Sequence, residues 1–181
     1  MMALTLPDDA NLGDPGHIND HNLIVEALST LDAAKLDIAS VVPSKILQVV
    51  TGSTVTQLSS TSATYVDSNL TATITPTKAT SAILVIVAQN LFVDGAGDSV
   101  VAIQLLRGAT QVVESPRFAA CNNTSGTVNI TATHILTALD SPASTSALVY
   151  KTQLKKSSGT PAFIAQVSSS RSSIILLEVA S

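Results

Sequence analysis

The sequence predicts a mainly β protein: an antiparallel jelly-roll β-sandwich preceded by an N-terminal arm and one short α-helix. Three observations carry this expectation. From Ile46 onward the chain is Val, Ile, Thr and Ser in short runs, poor in charge and broken by Ser, Thr, Gly and Pro turns. About eight to ten strands at that spacing, with no helix between them, indicate a sandwich. Several runs alternate cleanly between apolar and polar residues, the mark of half-buried antiparallel strands. Helical periodicity is confined to the front of the chain. The expected organisation is an arm over 1–13, a helix over 14–38, a linker over 39–45 and the sandwich over 46–181.

The helix opens on Asp14-Pro15-Gly16-His17. Asp14 can accept hydrogen bonds from the free N–H groups of the first turn, and Pro15 sits where a missing N–H costs nothing. Ile18, His21, Ile24, Val25, Leu28 and Leu31, extended by Lys35 and Ile38, then recur every three or four residues. They form one apolar stripe on a helix of about 18 to 22 residues. An isolated helix of that length is marginal in water, so a packing partner must hold it. The chain offers no second helix of matching period. Either the stripe lies on its own β-domain or it packs on copies of itself, and the second is the favoured expectation.

Pro43 blocks helix continuation and favours extended chain before it, which makes 39–44 a connector. Strands are expected at 46–58 and 63–75, separated by Ser59-Ser60-Thr61-Ser62, and then at 82–93 after the turn at 76–81. Ile83-Leu84-Val85-Ile86-Val87 is apolar on both faces, so this strand should be central. Asp94-Gly95-Ala96-Gly97-Asp98 reads as a glycine-rich hairpin loop. Further strands are expected at 99–107, 110–115, 118–120, 127–139, 146–156, 162–167 and 172–180. Val128, Ile130, Ala132 and Leu136 should face opposite to Asn129, Thr131 and Thr133; Leu148, Tyr150, Thr152 and Leu154 should oppose Lys151, Gln153 and Lys155. Ser and Thr make up about a quarter of the residues, giving outward faces that are polar yet nearly chargeless and suit subunit packing as well as water.

Composition narrows the function. Net charge is −4 with 12% charged residues, and Lys155-Lys156 is the densest basic spot. That is a poor footprint for phosphate, and with 3% aromatics and no Trp base stacking is poorly supplied too. No nucleic-acid partner is expected. No apolar run reaches the roughly 18 residues of a membrane span, and the first residues lack the n- and h-regions of a signal peptide. A cytosolically made chain with no membrane association is expected. The single cysteine, Cys121, cannot form an internal disulfide and reads as a small packed side chain, Arg117 being weak support for a reactive thiol.

Constellations that could carry chemistry are few. His17 and His21 stand one helical turn apart, as two ligands of one metal would, but Ile18 occupies the place of a zinc protease's glutamate. Asp94 and Asp98 could begin a calcium site, yet two aspartates fall well short of the roughly six to eight oxygens calcium takes. Gly97-Asp98-Ser99 resembles the start of an esterase motif but leads into a strand instead of a helix. His134 lies on the apolar side of its strand, where a packed, hydrogen-bonded core histidine is expected. No residue pair points to glycoside hydrolysis, and the Asn-x-Ser/Thr matches at Asn69, Asn122, Asn123 and Asn129 are expected by chance in so Thr-rich a chain. No catalytic residue, cofactor, metal or small-molecule ligand is therefore expected.

Leu12-Gly13-Asp14-Pro15-Gly16-His17-Ile18-Asn19-Asp20-His21-Asn22, followed by Leu23 to Leu28, resembles a segment near the start of tailed-bacteriophage virion proteins: head fibres, capsid decoration proteins and minor tail or tail-fibre proteins. Ile46-Leu47-Gln48-Val49-Val50, Thr73-Ile74-Thr75-Pro76, Ser81-Ala82-Ile83-Leu84-Val85, Ser144 to Lys151 and Ile174 to Ala180 are similar, as an ordered set, to the domain that often follows. The resemblance spans nearly the whole chain. It implies a homotrimeric jelly roll of tumour-necrosis-factor-like or phage-knob-like shape on a short stalk, and no enzyme activity.

A helix of about 20 residues rises only about 30 Å and no extended shaft follows, which favours the head over a tail fibre. The expected function is thus a trimeric capsid decoration (cement) protein on the virion surface, made in the host bacterial cytoplasm. Its expected partners are its own copies and the major capsid protein or neighbouring virion proteins. Leu4, Leu6, Pro7, His17, Ile18, His21, Ile24, Val25, Leu28 and Leu31 are the expected trimer and capsid contacts. The alternative is a receptor-binding (adhesion) protein at a tail fibre or baseplate. With only Tyr65 and Tyr150 beside the missing Trp, its sugar-binding form is disfavoured.

Overall fold

The computed structural model describes residues 25–29 and 46–180. The chain divides into two units at Ser44/Lys45. In the first, residues 25–29 are α-helical. The rest of the expected 14–38 helix, the arm and the linker lie outside the described residues.

The second unit is mainly β and antiparallel. Its strands are β1 (Ile46–Thr54), β2 (Leu58–Ser60), β3 (Val66–Ile74), β4 (Ala82–Arg107), β5 (Thr110–Asp140), β6 (Leu148–Ser158), β7 (Ala162–Ala165) and β8 (Ser172–Val179). They form one eight-stranded sheet ordered β1-β8-β4-β6-β3, with β5 on β4 and β7 joining β4 to β2. The sheet folds over on itself into a nearly closed, barrel-like sandwich consistent with a jelly roll.

The device that makes this fold is the β4–β5 ribbon. β5 pairs with β4 along its whole length. On its other side β4 meets β8 through residues 82–88, β7 through 91–94 and β6 through 100–107. One strand therefore serves both layers: β1-β8-β4-β5 builds the first, β3-β6-β4-β5 the second. The crossing is at 94–98. Ala96 pairs with Thr127 but Gly97 with Asn123, so β5 bulges there, and Gly97 takes φ 68°, which a residue without Cβ adopts at little cost.

The expected hairpin loop at 94–98 is thus corrected: this stretch is inside β4, and the hairpin turn is at Gly108 and Ala109. Gly and Asp read locally as a turn, but the ladder to β5 overrides that preference. For the same reason the three runs expected at 110–115, 118–120 and 127–139 are one bent strand, while the run expected at 46–58 is two strands, β1 and β2.

Alternation places the core. Ile83, Val85, Val87, Leu91 and Val93 point inward from the first half of β4, and Val101, Ile103 and Leu105 from the second. They meet Leu70 and Ile74 of β3, Tyr150 and Leu154 of β6, Phe163 of β7 and Ile174 and Leu176 of β8, all fully buried. Each such side chain contributes about 1.5–3 kcal/mol through burial. On the far side β1 lies against β3. A Cβ at Gly52 would stand 2.2 Å from the Thr71 carbonyl oxygen, so glycine is what lets the layers close there.

Candidate interaction surfaces

The expected contact residues divide in two. Leu4, Leu6, Pro7, His17, Ile18, His21, Ile24 and Leu31 lie outside the described residues. Val25 and Leu28 are on the helical turn and stand open, 63% and 59% exposed. A three-residue spacing puts them on one helix face, as the stripe requires.

The sandwich presents two outer faces of opposite character. On the second layer, Tyr65 donates a 2.6 Å hydrogen bond to Glu114, and Lys155 stands 3.6 Å from that carboxylate and 4.3 Å from the Tyr65 ring centre. Beside them Lys151 Nζ lies 2.9 Å from Asp67, which also accepts from Gln153 at 2.7 Å. The hydrogen bonds from Gln153 and Lys151 hold the Asp67 carboxyl below its ordinary range, and that from Tyr65 does so for Glu114. Lys155, expected as part of the basic spot, is thus engaged by its own face. The β3–β6 register slips between Asp67 and Thr71, with Asn69 left-handed at φ 66°, a conformation Asn tolerates better than most residues. The bulge lines an open pocket of about 230 Å³ with Asp67, Asn69, Thr71 and Lys151.

The first layer's outer face has no charged side chain in the rows that follow, and Arg171, just before β8, reaches its rim and donates to Ser53 Oγ at 2.9 Å. The ladders align Val49, Leu177, Leu84 and Leu139 in one row. The next row is Thr51, Ile175, Ile86 and Thr137, followed by Ser53, Ser173, Ala88 and Ile135. The central residues are half-buried by their neighbours. The flanks stand proud: Val49 is 56%, Ile135 60% and Leu139 67% exposed. Beyond Ile135 and Leu139, β5 has no further strand partner among the described residues.

Sequence reasoning missed this face. A signal was present: Ile83 to Val87 and Ile174 to Leu177 are apolar at both parities, and Ile135 interrupts the polar parity of β5. What the sequence did not contain was the register that sets those residues side by side.

Between the layers lies a polar core that the sequence also did not announce. Gln89, Thr152, Ser68, Gln166 and Ser172 are fully buried and neutral. Ser172 Oγ accepts from Asn90 N at 2.9 Å and Gln89 Nε2 at 3.0 Å; Thr152 donates to Gln89 Oε1 at 3.1 Å and shares a hydrogen bond with Ser68. Gln166 satisfies its surroundings with its nitrogen toward the Thr56, Ser68 and Ala165 carbonyls. The Ser172 hydroxyl meets amides, not an imidazole or carboxylate. The network ties β3, β4, β6 and β8 together and fixes their register, since a slip would leave several buried groups unpaired.

The remaining candidates have structural settings. Ser99 Oγ donates to the Ala96 carbonyl at 2.8 Å. Asp98 is held by Arg117 at 3.0 Å, and that hydrogen bond lowers its carboxyl pKa. Cys121 is buried, its sulfur 3.9 Å from the Gly95 carbonyl. His134 points inward as expected and packs on Phe118 with ring centres 5.2 Å apart. Its expected hydrogen bonding is corrected at one nitrogen: Nε2 has no partner among the described residues. Burial pushes its pKa down.

No family model and no curated protein matches the chain. Among solved structures, the chain is similar to the D431N mutant VP2 protein of infectious bursal disease virus in derived T=1 particles. Identity is 16% and TM-score 0.28, over 74% of this chain and 36% of that one. The chain thus corresponds to about a third of that protein's length, and a likeness at this level carries no functional argument.

Proposed function

We propose that this chain is a non-enzymatic structural protein of a tailed-bacteriophage virion: a homotrimeric decoration, or cement, protein on the capsid surface. The observation that carries the reading is the contrast between the two faces of the sandwich. One is polar and internally ion-paired, suited to water; the other is mostly apolar, with Arg171 at its rim as a charge, and suits burial in an assembly. The exposed Val25 and Leu28 supply a second apolar surface, and the phage-like segment around Asp14 to Asn22 gives the assembly its kind. The arm and helix bind the shell, and the trimer bridges neighbouring capsid subunits. Internal pressure then has to break the added contacts together with those of the shell. Symmetry multiplies a modest contact per chain.

Particles assembled with and without the protein test this. With it, they release their genome at a higher temperature, and density for the sandwich stands on the capsid exterior. Equal stability, or density elsewhere, refutes the cement role.

One observation favours adhesion at a tail tip instead: the pocket at the β3 bulge, whose Asp67 and Asn69 offer the polar groups a sugar hydroxyl takes. Retention of the purified chain by host cells or surface polysaccharide supports that reading, and no retention removes it.

A further inference from the structure

We propose that the pocket at the β3 bulge is a binding site for one neutral sugar ring, held through two neighbouring hydroxyl groups by Asp67, Asn69 and Lys151. The inference rests on the pocket that favours adhesion above and adds to it the ligand class and the residues that select it. It does not depend on where the chain sits on a particle.

The first argument is how the pocket is built. Asp67 pairs with Gln153 and Thr71 with Lys151, so three residues of β3 stand opposite Thr152 alone. A regular ladder would set two outward side chains of β3 against that stretch of β6. The bulge crowds in a third, Asn69. Ser68 and Leu70 turn inward and are fully buried, and Ser68 shares its hydrogen bond with Thr152. Asp67, Asn69 and Thr71 are left exposed on the outer side, around the pocket. Asn69 holds φ 66° to allow this, a region that residues with a Cβ enter at a cost. Bulges re-aim side chains in this way beside binding and active sites.

The second argument is hydrogen-bonding capacity. The Asp67 carboxylate accepts from Gln153 at 2.7 Å and from Lys151 at 2.9 and 3.1 Å. An ionised carboxylate offers about four acceptor sites and an ammonium group three donors. Asn69 spends one of its two amide donors on a long bond of 3.4 Å to the Thr56 carbonyl. Thr71 donates to the Tyr150 carbonyl at 3.0 Å, which leaves its lone pairs to accept. The pocket thus sets an acceptor beside donors, each holding the other in place. Two adjacent hydroxyls of a sugar fit that pair: one donates to Asp67 and the next accepts from Lys151 or Asn69. Groups already fixed lose little freedom when the ligand arrives.

The third argument is charge and size. Lys151 balances Asp67, so the pocket has no net charge for a phosphate or carboxylate to seek. The carboxylate is also the more open of the two, 56% exposed against 31% for Lys151, and meets an incoming anion first. A volume of about 230 Å³ lies below the roughly 300–1,000 Å³ of sites that enclose drug-sized molecules. One ring fills it, and the rest of a glycan stays in water. The lining has no aromatic ring among the described residues, so a single sugar binds with a Kd on the order of 1 mM. Copies carried on one particle strengthen that through avidity.

The test titrates the full chain with methyl α-glucopyranoside, methyl α-mannopyranoside and methyl β-galactopyranoside, read by saturation-transfer NMR on the sugar protons. The methyl glycoside of glucuronic acid is the anionic comparison. The expected result is that at least one neutral glycoside binds saturably, and more tightly than the glucuronide. Asn69→Gly suits the left-handed backbone and removes only the amide; Asp67→Asn keeps the shape and removes the charge. Each weakens binding at least about tenfold, with the fold intact by circular dichroism, whereas Thr137→Ala on the first layer leaves binding unchanged.

No saturable binding of any neutral glycoside overturns the proposal. Binding that ignores both substitutions also overturns it, since the sugar then sits elsewhere, and tighter binding of the glucuronide overturns the neutral class. Host cells that retain the parent chain and Asn69→Gly equally end this inference and leave adhesion standing through another surface. Glycoside binding at the pocket by a chain that no cell retains keeps the inference and ends the adhesion reading.

Discussion

Asp140 and Arg107 join the two ends of the β4–β5 ribbon. Arg107 closes β4 in the second layer and Asp140 closes β5 in the first, yet the guanidinium lies 2.6 Å from the carboxylate. Tyr150 donates a further hydrogen bond of 2.6 Å to the same carboxylate. Burial pushes the Tyr150 phenol up, as does the neighbouring Asp140. Both charged side chains are largely buried, at 22% and 13% exposure. Asp140→Ala strands the cation and the phenol together and should cost about 2–4 kcal/mol in urea unfolding. Tyr150→Phe, which removes one hydrogen bond, should cost about 1 kcal/mol.

Where the layers close on the opposite side, the limit is space. Because a Cβ at Gly52 meets backbone at 2.2 Å, Gly52→Ala must separate β1 from β3. A loss of about 1–3 kcal/mol is expected, measured as a lower urea midpoint with unchanged slope. A variant as stable as the parent would show that the layers do not approach there.

Much of this architecture was legible, and the rest was not for physical reasons. The two-sided apolar run at Ile83 to Val87 marked a central strand, and β4 does run between β8 and β5 there, although the outer side of the run is open in the single chain. The inward set of β5 and that of β6 followed from simple parity. The bend did not: Gly95 and Gly97 carry the same local signal whether a chain reverses or merely crosses between layers, and only pairing with residues 122–127 decides. The outer apolar face depends on register among β1, β8, β4 and β5, which no single segment encodes. The buried Gln89, Thr152 and Ser172 cluster is invisible for the same reason, since its partners are far apart in the chain.

Glu178 makes an acid-sensitive clamp. Its carboxylate is buried and accepts from Gln48 Nε2 at 2.7 Å and from the Thr77 amide and hydroxyl at 2.8 Å each. Burial alone would raise its pKa, but these hydrogen bonds outweigh it and bring the value to about 2. A carboxyl depressed on folding contributes stability above its unfolded pKa, and that contribution is lost as pH falls toward the folded value. Chemical unfolding should show stability declining from about pH 4.5 to pH 2. Glu178→Gln, which does not ionise, should flatten the decline while lowering stability at neutral pH.

His134 acts higher on the scale. Its pKa is pushed down by burial, so the unfolded chain binds the proton more readily than the folded one. Stability is therefore retained above the ordinary histidine range near pH 6.5 and falls as pH drops below it. His134→Phe, which keeps a ring against Phe118, should remove the part of that slope that begins as pH falls below about 6.5. An unchanged slope would assign it to other groups.

The central claim is that apolar surface left open by a single chain is covered in the assembled state by other copies. The most direct measurement is the molar mass of the full-length chain in dilute solution by analytical ultracentrifugation. The account predicts a species of three times the 18.6 kDa chain mass, dissociating on dilution. A stable 18.6 kDa monomer at every concentration would contradict it.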